Sequence, residues 1–371
     1  MSRITKFAVL GAMAAGLLSS AAATAQESFD LDALIEAARA EAPITVYAVT
    51  GKIVETAEAF TAKYGVQAEG RKVNEADQVE LLIRESQANN ILGDVSVAAD
   101  VAAIAAQLAP YGIIENWVPD DIAPNIAPEW HDPLVLVNDP LVFTYNTQVF
   151  DTCPVTNIWQ LTEPEYARKF AMIDPLVKPN YADWFNQMEM HHDEAMAAAY
   201  ESHFGVALET EERSATAEWV KGFAQNQPLL GDSNSVAEAI GAPGQADPFF
   251  GLISVAKYRD NITSDFKLGL CTGMEPFIGW LYPGPGVIAA GTDSPNAARL
   301  FIHYLLTEEG LAPQLIDGKI STNSEVQLPD DEPSGIAEHF DDLMAFSMAT
   351  AEQDFDARQD WQDFWRVHYS R

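Results

Sequence analysis

Apolar residues in this chain gather in short β-branched runs that alternate with stretches of helical spacing. Ile44 to Val49 (ITVYAV) reads as a buried strand stopped by Thr50-Gly51. From Lys52 to Tyr64, apolar Ile53, Val54, Ala57, Phe60 and Tyr64 recur at helical intervals, which predicts a helix that Thr50 can cap. Val66 to Val73 is a second extended piece, and Asn74 heads a helix over Glu75 to Ala88 with Val79, Leu82 and Ile83 inward. ILGDVSVAAD supplies a third strand, after which Asp100 caps a helix from Val101 to Leu108. A βαβαβα order predicts a parallel sheet with covering helices.

The second half repeats the style. FAMIDP is a strand ending at Asp174-Pro175, and Asn180 is placed to cap one long helix running to about Phe204. Further helices are expected over Ala215 to Gln225 and within GDSNSVAEAI, and a strand in DPFFGLISV. GWLYPGPGVIAAG reads as a strand broken by Pro283 and Pro285. Ser294-Pro295 opens a helix to Leu306, with serine as cap and proline in the first turn. QLPDDEPSG is an acidic surface loop, and the chain from about Ser334 reads as amphipathic helix.

One stretch, VLVNDPLVFTYNTQVFD (135–151), fits a single compact domain poorly. Val135 to Val142 reads as a buried strand interrupted by a turn, yet it runs into Tyr145-Asn146-Thr147 without a glycine. A strand that leaves one lobe and enters another has this appearance.

Charge and the N-terminus add context. Arg3 and Lys6, an apolar run from Phe7 to Leu18 and Ala23-Thr24-Ala25 have the order of a cleavable export signal over residues 1–25, with the apolar run short of the about 20 residues of a spanning helix. The formal charge of −34 disfavours nucleic acid and anionic membranes as partners and reads first as a solubility adaptation. Export makes a disulfide between Cys153 and Cys271 plausible, closing a loop of roughly 100 residues for about 4 to 5 kcal/mol; two buried thiols are the alternative.

Catalytic signatures are missing: there is no nucleophile elbow, P-loop, dinucleotide fingerprint, HExxH or CxxC. His191-His192-Asp193-Glu194 holds metal-ligand residue types, but adjacent histidines on a helix diverge, so it reads as solvated helix surface, and no metal site is assigned. Four segments instead join a strand end to a polar helix start: Thr50-Gly51-Lys52, Ala98-Ala99-Asp100, Lys178-Pro179-Asn180-Tyr181 and Asp232-Ser233-Asn234-Ser235. Such starts bind anions through free N–H groups, and ligands of parallel α/β sheets lie beyond the strand ends.

LVFTYNTQVFDTCPVTNIWQLTEPEYARKFAMIDP (141–175) and YPGPGVIAAGTDSPNAARLFIHYLLTEEG (282–310) carry a resemblance across nearly all of the remaining chain. They are similar to the periplasmic substrate-binding proteins of ABC importers, in the ferric-iron-binding branch, whose members also include binders of phosphorylated sugars, phosphonates and thiamine. The resemblance implies an α/β, two-lobed periplasmic-binding-protein-like fold, each lobe a mainly parallel sheet covered by helices, joined by two hinge strands. It divides the chain into a first lobe (26–143 and 283–325), a second lobe (144–282) and C-terminal helices packed on the lobes (326–371).

It further implies hinge positions at Tyr145 and Trp280, and ligand contacts at Thr50, Gly51, Lys52, Asp100, Asn146, Lys178, Asn180, Tyr181, Asp232, Ser233, Asn234 and Tyr282. Lys52 and Lys178 would counter an anion, and Asp100 and Asp232 would take hydroxyls; Trp184, Trp280 and Tyr282 read first as core or hinge packing, with packing on an apolar or cationic part of the ligand as the alternative. Iron binders of the branch carry two adjacent tyrosines where this chain reads GQADPFFGLISVAKYRDN (244–261), and no Tyr-Tyr occurs anywhere in it. The expectation is therefore a monomeric periplasmic protein without cofactor or catalysis, handing a small, organic, anionic solute to inner-membrane permease subunits. Ferric or other metal ions, polyamines and an enzyme on the same scaffold are the alternatives.

Overall fold

A computed structural model describes residues 29–369, so the export segment read at 1–25 lies outside the described residues. The first part runs α1 (Leu31–Arg39), β1 (Ile44–Ala48), α2 (Ile53–Tyr64), β2 (Ala68–Lys72), α3 (Glu75–Ala88), β3 (Val95–Val97), the short α4 (Val101–Ala103), β4 (Ile114–Glu115) and β5 (Val135–Asn146). The middle contains β6 (Phe170–Ile173), α5 (Asn180–His191), α6 (Asp193–Phe204), α7 (Ala215–Gln225), β7 (Leu229–Gly231), α8 (Ser233–Gly241), β8 (Phe250–Ser254), α9 (Asp260–Thr263) and β9 (Leu268–Leu270). The chain then returns through β10 (Gly279–Ala289), α10 (Pro295–Leu305), α11 (Glu308–Leu315) and β11 (Ile320–Ser321) and ends in α12 (Ala351–Tyr369).

The strands join in the order β2-β1-β3-β10-β5-β8-β6-β7, with β4 on β10 and with β9 and β11 on β5. β1 lies parallel to β2 and β3 on one side, and β6 lies parallel to β7 and β8 on the other. Between these parallel sets, β5 and β10 run antiparallel, pairing Gly279 with Val142 through Pro285 with Val135. Together these two strands link the sets: β10 reaches β3 through Gly286–Ile288, and β5 reaches β8 through Leu141–Thr144. This is the two-lobed α/β arrangement that the sequence implied.

Each lobe has its own core. Phe60 of α2 packs against Phe301 and Tyr304 of α10 with ring centroids 4.9 and 5.7 Å apart. Thus α10, distant in sequence, completes the first lobe. In the second, Trp184 of α5 stacks on Trp280 at 6.0 Å and meets Trp219 of α7 at 5.7 Å. Cys153 and Cys271 form a disulfide at the edge of that core.

Several local readings need correction. β5 is continuous through Asn138-Asp139-Pro140, and β10 is continuous through Pro283 and Pro285, with a register shift between Gly284 and Pro285 that absorbs the missing N–H groups. Thr50 does not cap α2; Lys52 holds the cap position and Thr50 Oγ1 accepts only from Lys52 N. Asn74 stands before α3 but makes no side-chain capping bond. The helix after Asp100 is α-helical only to Ala103 and continues as a π turn over Ile104–Leu108. Ser294 turns its hydroxyl to Ala42 O, and Glu41 accepts from Asn296 N and Ala297 N in its place.

The expected long helix from Asn180 to Phe204 is two helices, headed by Pro179 at the cap position and parted at His192 (φ −133°). No proline or glycine marks the break. The signal is electrostatic: His191 ends α5 and Asp193-Glu194 open α6, the charge order each helix dipole favours. Asp193 also accepts from Thr216 N at 2.8 Å at the start of α7.

Candidate functional site

A cleft of about 650 Å³ lies where the two lobes meet. Its walls are the carboxyl ends of strands from both sides. Ala48 to Gly51 follow β1, Val97 to Ala99 follow β3, Ile173 ends β6, Asp232 to Asn234 follow β7, and Ser254 ends β8. The crossing strands form part of the wall through Val137, Asp139, Leu141, Tyr282, Pro283 and Gly284. This is the position parallel α/β sheets reserve for ligands.

Of the residues expected at the site, Thr50, Gly51, Lys178, Asn180, Asp232, Ser233, Asn234 and Tyr282 line this cleft. Asp232 is held as a carboxylate by Ser235 N, Asn234 N and the Ser235 hydroxyl, which lower its pKa. Tyr282 Oη donates to buried Asp183 at 3.2 Å, and burial pushes its phenol well above the usual range.

Four expected residues do not line the cleft. Lys52 lies outside it, 3.7 Å from Glu55 on the same helix turn. Asp100 is buried, accepting from Ala103 N and from Arg358. Asn146 is a satisfied core amide, donating to Ile240 O at 2.8 Å and accepting from Gln148 N at 2.9 Å. Tyr181 is fully buried edge-on to the stacked Trp184 and Trp280, and both tryptophans are core residues that do not reach the cleft. Of the hinge positions, Tyr145 pairs with Gly269 inside the second lobe, while Trp280 sits on the crossing strand opposite Leu141.

Sequence reasoning did not reach Lys72, Asn74, Glu75, Asp139, Ser254, Lys257, Arg259, Asp317 and Lys319, all in the cleft wall. Lys72 ends β2 and Asn74-Glu75 open α3, so the strand-end rule applied to the other segments would have found them. Lys257 and Arg259 follow β8 in the same way. Asp317 and Lys319 sit in the loop after α11 and carry no such signal.

The wall is rich in cations for so acidic a chain. Arg259 pairs with Asp317, and Lys319 lies 3.6 Å from Asp139. Among the lysines and arginines of the described residues, only Lys72, Arg168, Lys178 and Lys257 lack an ion-pair partner. The three lysines of this set line the cleft, Lys72 from the first lobe and the other two from the second. Lys257 donates to the Asn234 side chain, and burial lowers its pKa. Glu75 faces Lys178, and burial raises its carboxyl to about 8 against the lysine's opposing pull; its Oε1 has no hydrogen-bond partner. Near neutral pH this acid is therefore mostly uncharged and does not offset the charge of Lys178.

No group of three or more His, Cys, Asp or Glu side chains able to hold a metal occurs among the described residues. No helix among them is long and apolar enough to cross a membrane.

The architecture matches solved structures at low identity. Iron-bound HitA from Pseudomonas aeruginosa aligns over 87% of this chain and 99% of its own at 15% identity, TM-score 0.66. The Trichodesmium protein IdiA (FutA), in complex with iron and citrate, covers 88% of this chain and 99% of its own at 15% identity, TM-score 0.63. An ABC transporter structure from Clostridium perfringens covers 88% and 99% at 14% identity, TM-score 0.60. No curated protein sequence matches the chain. A two-lobed sheet with its cleft at the strand ends agrees with the family model that matches residues 55–338, and the chain belongs to the bacterial extracellular solute-binding proteins.

Proposed function

We propose that this protein is the periplasmic solute-binding component of an ABC importer and that its solute is a small organic anion carrying a phosphate or carboxylate group. The observation that carries this reading is the trio Lys72, Lys178 and Lys257, contributed by both lobes and each without a carboxylate at ion-pair distance. An anion seated among them gains contacts from each lobe only when the lobes approach, so it shifts the population toward a closed form. The lobes turn about the crossing, at Asn138–Pro140 of β5 and Leu281–Gly284 of β10, where the two strands pair mainly with each other. The protein binds and releases without chemistry, and the permease is its partner.

Ferric iron is the second reading. The kinship of fold with iron-bound proteins favours it, and one of those structures holds citrate with the metal. The cleft weighs against a bare ferric ion: where iron binders of the resembled branch carry paired tyrosines, this chain contributes Lys257 and Arg259, and Tyr258 is buried with its hydroxyl against Thr144. Native mass spectrometry of the purified protein, followed by thermal-shift titration, separates the readings. The panel is phosphorylated sugars, phosphonates, citrate, polyamines and Fe(III) with and without citrate. Saturation at about 100 times Kd stabilises by roughly 2.7 kcal/mol. A shift with anions alone supports the first reading; a shift requiring Fe(III) replaces it with the second.

A further inference from the structure

Helix α12 follows every strand of both lobes and lies beyond the residues that the family model matches. Its buried positions are Ala351, Asp354, Arg358, Trp361, Trp365 and His368, spaced three and four apart along one stripe. Trp361 and Trp365 enter the core of the second lobe, whereas Phe355 packs on the first-lobe cluster beside Ile104 and Val287. At the centre of the stripe, Arg358 joins the lobes by two carboxylates. Its Nε and Nη2 donate to Asp183 of α5, each at 2.7 Å, and its Nη1 and Nη2 donate to Asp100, the cap of α4, at 3.0 and 2.5 Å. All three side chains are at least nine-tenths buried. Asp183 is also the acceptor of Tyr282 Oη in the cleft wall. The segment leading to α12 runs beside the crossing, with Leu281 N donating to Met344 O at 3.0 Å.

We propose that α12 is a cross-lobe strap and Arg358 a positioning residue of the cleft. Gripping Asp100 on one side and Asp183 on the other, it limits how far the lobes splay apart and anchors Tyr282 without touching the solute. Two strands alone leave the lobes free to splay, and a buried bidentate clamp on each side adds a geometric constraint that two carboxylates alone lack.

The test needs no ligand and so stands apart from the identity of the solute. Spin labels at E58C on α2 and E201C on α6, both exposed, report the interlobe distance by double electron–electron resonance. D100N keeps the oxygen that accepts from Ala103 N and leaves the Arg358–Asp183 pair intact. The triple variant D100N/D183N/R358M removes all three charges together, which avoids stranding a buried ion. The expected result is a wider distance distribution with a longer tail in D100N, wider again in the triple variant, both with native near-ultraviolet dichroism. A wild-type distribution in both variants overturns the proposal.

Discussion

Glu75 of the first lobe and Lys178 of the second face each other across the cleft, and burial wins over the lysine's pull to hold the Glu75 carboxyl at about 8. The ordinary value is 4.5, so between these limits the folded protein binds more protons than the unfolded chain. Stability then falls as pH rises through 8, and is fullest below 4.5 as far as this group is concerned. Asp354, raised by burial to about 7, acts in the same direction. Urea unfolding from pH 5 to 9 should show a loss on the order of 1 kcal/mol per pH unit for each group in its window. E75Q should flatten the Glu75 part and leave the Asp354 part.

Removing a cleft lysine should weaken anion binding. K72M, K178M and K257M each delete a charge without an ion-pair partner and should raise the Kd of the anion found by thermal shift about tenfold or more, following the ~1.5 to 3 kcal/mol of a charge-assisted bond. K319M should cost less, because Asp139 already pairs with Lys319. Calorimetric titration decides it; equal losses in all four variants would remove the distinction between paired and unpaired lysines.

Gly279 marks the tightest approach at the crossing. A Cβ there would meet Leu141 O at 2.1 Å and Val142 Cα at 2.8 Å, both backbone atoms unable to move aside. G279A should lower stability by about 1 to 3 kcal/mol. At Gly273 a Cβ meets nothing within 4 Å, and G273A should fall within about 0.5 kcal/mol of the parent in urea.

The Cys153–Cys271 bond ties residues 118 apart in sequence. The double variant C153A/C271A should be less stable by about 3 to 5 kcal/mol, through the larger entropy of its unfolded chain. A denaturation midpoint unchanged from the parent would show that the unfolded chain is already confined without the bond.

The fold was legible because its signals are local. β-branched runs, helical spacing and the apolar return through residues 282–310 place most elements within a few residues of where they occur. What failed was local chemistry overruled by partners elsewhere. Pro283 and Pro285 read as breakers, yet β5 holds β10 continuous through them. Ser294 read as a cap, yet Glu41, far away in the chain, fills that role. At the site, the strand-end rule covers seven of the eight expected wall residues, Tyr282 coming from the resemblance, and misses Lys72, Glu75 and Lys257, to which it applies equally. Asp100 has the residue type and place of a contact, and nothing nearby announces that Arg358 occupies it. Polarity at a strand end shows that a group needs a partner; it does not say whether that partner is a solute or the protein.

The order in which the chain emerges gives the strap a further meaning. The second lobe is inserted between the two segments of the first, and Arg358 comes after both. Until α12 is made and docked, Asp100 and Asp183 are two acids without their counter-charge, so a chain cut short before Arg358 can form neither clamp. A truncated product leaves Asp100 and Asp183 as two acids without a counter-charge, a loss of stability that the complete chain avoids.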